Sequence, residues 1–495
     1  MIKAFVNAKI YASFKPLKIT DALIIKDGKI AELGSDKILN FGKIEIIDLH
    51  RSIVMPGFVD AHMHLDELGE YLNILDLRNV KSIKEMQEKL KTVQDKDWII
   101  GHGWDQELFE EQRWPDRFDL DKIIKDKPVF LSRVCLHAAV LNTKALEILG
   151  LLNSDYSSEY LVRDDRGITG IVKEQAFEQA RKNIKKDVQK YIIDGANEAL
   201  KKGVTSVGFV SCNSEPLKIL DKLRAKLKIR VHVYVNPESL DVLKEFKNSE
   251  FLKINGIKLF IDGSLGARTA WLSSPYADAE TSGNLVIDEH EYFRICRKMD
   301  QQNLQIATHA IGDRALDVVL DSYALLKNKH RIEHASIIRK DQILKIKDIG
   351  ATIVTQPHFV ITDFWVLDRV GKERAEQVYP FRTLIENNIP VAFSTDSPVE
   401  PIDPWQTVYS AVTRGEYEKI PLYKESGSQT LSLEESLYLY TKSAAKALLD
   451  DNIGSLELGK YADFIILNKD PFNVEASQLK NIKVKETYVA GEKIV

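Results

Sequence analysis

From residue 203 onward, short apolar runs of strand length alternate with longer amphipathic stretches. Residues 203–209, 229–235, 256–263, 305–313, 331–335, 350–357 and 390–398 read as strands bounded by Gly, Pro or Asp. Between them, residues 313–326 are rich in Ala and Leu, while 340–349 and 373–387 are amphipathic, a pattern that predicts helices. One more apolar run, Ser52–Met55, leads into residues 56–65 and brings the set to eight. Strands that alternate with helices predict a parallel sheet with crossover helices. Eight such units predict an α/β chain folded as a (β/α)8 TIM barrel, with its chemistry at the C-terminal ends of the strands.

The ends of the chain read differently. Residues 1–54 alternate short β patterns with glycine turns, and Lys26-Asp27-Gly28-Lys29 is a hairpin signal. Residues 447–495 do the same around Ala462–Leu467 and the turn at Val489-Ala490-Gly491-Glu492. The segment of about 67–200 is far longer than an ordinary βα connection, so it reads as a subdomain inserted in a barrel that spans 55–446.

Charge and composition narrow the function. A net charge of −4 over 495 residues gives no reason to expect nucleic acid or an anionic membrane as a partner. No apolar run is long enough to cross a bilayer, and residues 1–14 lack a secretory apolar core, so the expectation is a cytoplasmic enzyme with a small-molecule substrate. Homo-oligomerisation is left open. Cys135, Cys212 and Cys296 are odd in number and far apart, which predicts reduced core thiols.

The chemistry begins at His62-Met63-His64. Side chains alternate along a strand, so the two imidazoles point the same way and can grip one ion. A His-x-His pair alone is more often an ordinary polar face. Here, further candidates recur at the ends of later strands: His309, His334 and Asp396.

The stretches PGFVDAHMH (56–64), IKLFIDGSLGARTA (257–270), THAIGD (308–313), RIEHAS (331–336) and FSTDSPVEP (393–401) resemble the metal-dependent amidohydrolase superfamily. Within it they are similar to amidohydrolase family 3, the branch that includes N-substituted formamide deformylase. The terminal blocks at 18–34 and 454–471 match too, so the resemblance covers essentially the whole chain. It implies that residues 1–54 and 447–495 are the two halves of a small β-sandwich packed on the barrel. It also implies that His62 and His64 bind the more buried metal, that His309 and His334 bind a second, and that Asp396 touches the first metal and the attacking water. Lys258 matches the family's carbamylated lysine that bridges two ions, and a desolvated lysine is the neutral amine that carbon dioxide needs. The plain alternative is an unmodified Lys258 paired with Asp262 or a metal-bound carboxylate. The cofactor expected is one or two divalent ions, zinc first, with iron, manganese or cobalt as alternatives.

Family-like blocks in the insertion contain Trp104, His137 and Glu174, which together with Trp114, Arg268 and His358 are candidate substrate contacts. Trp104 and Trp114 are as readily core residues, and a structural hydrogen bond is a rival role for His137. His50, His232, His290 and His330 read as surface or core residues. The activity expected is hydrolysis of a non-peptide C–N bond by a metal-activated hydroxide, with Asp396 as general acid and base. A lactone or phosphotriester hydrolase would share this core. A ring deaminase fits less well, because His309 is followed by Ala310-Ile311-Gly312 with no glutamate three residues on. A non-catalytic scaffold would be expected to have lost ligands, and none is missing.

Overall fold

The computed structural model describes residues 2–93, 97–135 and 137–495. It divides into two compact units, Gly69–Tyr191 and the remainder of the chain.

The larger unit contains the barrel. Its strands are β1 (Phe58–Met63), β2 (Val204–Cys212), β3 (Arg230–Val235), β4 (Leu252–Phe260), β5 (Gln305–Ala310), β6 (Arg331–His334), β7 (Thr352–Thr355) and β8 (Val391–Phe393). They pair in sequence order, every neighbour parallel, as the strand–helix alternation predicts. The seam between β1 and β8 is tied at the mouth. There the Asp396 N–H donates to the His62 carbonyl and the His64 N–H to the Ser397 carbonyl, both at 2.8 Å. Deeper, the buried Asp60 carboxylate accepts the N–H and hydroxyl of Thr395 and the hydroxyl of Tyr440.

The apolar run Ser52–Met55 belongs to a different sheet. It lies in the strand Glu45–Pro56, which pairs with the N-terminal strand Ile2–Phe14 and the C-terminal strand Phe464–Leu467. Both termini thereby build one eight-stranded sheet around a core that includes Phe5, Val54, Phe464 and Tyr488. Pro56-Gly57 separates that strand from β1, and Gly57 is needed there, because a Cβ would stand 2.3 Å from the Thr205 side chain.

The expected helix over 373–387 is broken. A 3-10 turn covers Lys372–Gln377 and an α-helix covers Phe381–Glu386. Pro380 lacks the N–H that a continuous helix requires, and Tyr379 before it takes a φ of 45°. The helices over Asp313–Tyr323 and Lys340–Ile349 form where the pattern puts them.

The Gly69–Tyr191 unit has its own six-stranded sheet and its own apolar core. Among the described residues no helix is long and apolar enough to cross a membrane.

Candidate metal centre

His62 and His64 leave the end of β1 on the same side, and Asp396 follows β8 across the seam. Both His62 Nε2 and His64 Nε2 lie 3.1 Å from Asp396 Oδ1. Asp396 takes a φ of 59° and His334 one of 68°, left-handed conformations that cost a non-glycine residue energy and are concentrated at functional sites. The turn at His334 swings its imidazole to the side that Glu333 already faces. Its ring centre is 5.0 Å from that of His62 and 4.6 Å from that of His309 on β5. Lys258 on β4 completes the group, with Nζ 3.5 Å from His62 Nε2. The tightest potential ligand set is His62, His64 and Asp396, and the other three residues adjoin it.

The hydrogen bonds around the histidines decide which ring nitrogen is bare. His62 Nδ1 bonds the Glu333 carboxylate, which Arg331 clamps through Nε and Nη2 at 2.5 and 2.7 Å. Burial pushes the Glu333 carboxyl up, but Arg331 and His62 outweigh it and hold it well below the usual range. An ionised Glu333 only accepts, so His62 Nδ1 carries a proton, and Nε2 is the nitrogen that faces Asp396. His309 Nε2 donates to the Gly263 carbonyl at 2.9 Å, which leaves Nδ1 bare. His334 Nδ1 lies 2.9 Å from Gln356 Oε1, and the Gln356 amide is oriented by donating to Ser394 Oγ, so His334 keeps Nε2 bare.

Imidazoles from β1, β5 and β6 thus neighbour one another beside the Asp396 carboxylate. Burial first, then Lys258, lowers His309 to about 3, and burial with His309 lowers His334 well below the usual histidine value. Burial alone would raise Asp396, but His62 and His64 outweigh it and keep it ionised. This donor set, four imidazoles plus one carboxylate, with a second ring nitrogen of His62, His309 and His334 hydrogen-bonded outward, fits a divalent cation.

Lys258 is buried and brought down to about 8, chiefly by burial. Asp262 is not its partner: that carboxylate accepts the N–H groups of Trp271, Ile311 and Gly312 instead. Among the described residues, Lys258 forms no ion pair.

The candidate substrate contacts fare unevenly. Trp104 is a core residue, fully buried in the Gly69–Tyr191 unit against Phe109 and Trp114, with Nε1 donating to the Leu131 carbonyl. Its indole has no face left for a substrate. His137 and Glu174 face each other at 3.3 Å in the same unit, both exposed. Leu136, beside His137, lies outside the described residues. Arg268 is held by Asp278 through two hydrogen bonds of 2.9 and 2.7 Å. His358 bonds Glu400, which also accepts from Thr362. Cys212 and Cys296 are buried, but Cys135, just past the strand Val129–Arg133, is exposed rather than in the core. Sequence reasoning missed Glu333 and Gln356, the residues that set the two tautomers.

A model of the amidohydrolase family matches residues 45–495. YtcJ of Bacillus subtilis (strain 168) is 32% identical over 516 residues, covering 98% of this chain and 97% of that protein. N-substituted formamide deformylase of Arthrobacter pascens is 23% identical over 530 residues, 98% of this chain and 97% of that one. An uncharacterized metal-dependent hydrolase from Pyrococcus horikoshii OT3 superposes with a TM-score of 0.83 at 43% identity, covering 96% of this chain and 99% of the other. The chain belongs to the amidohydrolase family and is a metal-dependent hydrolase of carbon–nitrogen bonds.

Proposed function

We propose that this protein hydrolyses the C–N bond of a small, non-peptide amide. The observation that carries the reading is the grouping of His62 Nε2 and His64 Nε2 3.1 Å from Asp396 Oδ1, with the His334 ring 5.0 Å from that of His62 and 4.6 Å from that of His309. Together they would hold the cation, zinc being the best match to a histidine-rich site with one carboxylate. A bound divalent ion supplies Lewis acidity, which acidifies water and polarises a carbonyl.

The chain's own residues do the rest. Asp396 is fixed at the barrel mouth by its N–H bond to the His62 carbonyl, so its carboxylate is aimed before substrate arrives. It accepts the proton of the attacking water and passes it to the leaving nitrogen. Lys258, buried and without a carboxylate ion-pair partner among the described residues, is suited to react as the neutral amine with carbon dioxide. The amine nitrogen bonds the carbon, one proton leaves, and the carbamate offers two oxygens for a second cation. That the deformylase relative acts on N-substituted formamides supports an amide substrate here.

The test is metal analysis of the purified protein, followed by assay on N-acyl amines, lactones and phosphotriesters. The reading expects bound divalent metal and turnover of an amide in preference to the two esters. Preference for a lactone or a phosphotriester would overturn it.

A further inference from the structure

Lys258 and Phe260 lie two residues apart on β4 and so point to the same side of the strand, into the barrel. Lys258 is 1% exposed and Phe260 is 43% exposed, so Phe260 is the last inward residue of the strand, at the mouth. It stands opposite His309 in the β4–β5 register. Its ring centre is 5.2 Å from the His309 ring and 4.9 Å from Lys258 Nζ.

Phe260 is not alone. Val286 is 54% exposed, and its N–H donates to the carbonyl of Ile261, the residue after Phe260. Val399 is 62% exposed, and its N–H donates to the Asp396 carbonyl. Polar groups on these loops are already engaged: Arg268 by Asp278 after β4, and Glu400 after β8 by His358. Exposed apolar side chains thus stand on the loops that follow β4 and β8, the strands that carry Lys258 and lead into Asp396.

We infer that Phe260 is the wall of a substrate subsite, and that the substrate amide carries an aryl or bulky alkyl group that packs on its ring. This rests on the amide-hydrolase reading above. Burying such a group gives a preference of about tenfold to a hundredfold over a methyl group.

The experiment uses two hydroxamates with the same chelating head, benzohydroxamate and acetohydroxamate, titrated into the metal-loaded protein by calorimetry. The wild type should bind benzohydroxamate about 10- to 100-fold tighter. Phe260→Ala should remove most of that ratio with metal content unchanged, and Phe260→Leu, closer in size, should retain part of it. An equal affinity for both probes in the wild type would overturn the inference, as would a ratio untouched in both variants or binding of neither probe. A ratio that collapses in the variants of a protein that hydrolyses no amide would leave the subsite standing and remove the amide reading instead.

Discussion

Glu333 accepts the Nδ1 proton of His62 while Arg331 grips the same carboxylate from behind. All three side chains are buried. A buried charge is tolerated only when paired, and the pair here also orients an imidazole. Glu333→Gln leaves Arg331 without its counter-ion and weakens the hold on the His62 tautomer. We expect it to cost about 3–5 kcal/mol in stability and about 10- to 100-fold in metal affinity. Urea unfolding and chelator competition measure the two separately, and wild-type values in both would remove Glu333 from this role.

Lys258→Ala should lower the metal content from two ions toward one and slow turnover. A short carboxylic acid added to the variant should restore part of both, because it replaces the two oxygens of the carbamate. Full metal content without added acid would show that no carbamate bridge is needed.

Asp396→Asn keeps the size and one oxygen but removes the base. It should retain much of the metal and lose on the order of 10²–10⁴ in turnover. Near-normal turnover with metal bound would mean that another residue moves the proton.

Stability should depend on pH through a histidine remote from the centre. His232 is buried beside Asn255 and Asp450, and burial lowers it from 6.5 to about 4. The unfolded chain therefore takes up this proton at a higher pH than the folded one. The stabilisation is complete above about 6.5 and is lost as pH falls toward 4, by roughly 3 kcal/mol at the low end. Urea midpoints between pH 7 and 4.5 should fall, and His232→Gln should flatten that fall. A variant with the same slope as the wild type would assign the effect to other groups.

The barrel was legible because strand-length apolar runs, broken by Gly or Pro, impose their own periodicity. His62, His64, His309, His334 and Asp396 were legible because the fold puts its chemistry at strand ends. Glu333 was not, since nothing in the order of residues says that β6 brings it to a histidine on β1. One signal was present: Arg331 and Glu333 stand two residues apart on one short strand and so share a face, and two buried charges on one face must be paired. Trp104 was ambiguous for a different reason. An indole in an apolar core and one lining a pocket have the same neighbours in sequence, and only burial separates them.

The central claim is that His62, His64, Lys258, His309, His334 and Asp396 form one metal centre, with the rings of His62, His309 and His334 oriented by outward hydrogen bonds. His309→Ala should lose metal and activity together while keeping its fold. Anomalous diffraction from metal-loaded crystals is the most direct measurement. It should place one ion about 2.0–2.2 Å from His62 Nε2 and a second at the same distance from His309 Nδ1 and His334 Nε2. An ion bound elsewhere, or one that these histidines do not touch, would contradict the account.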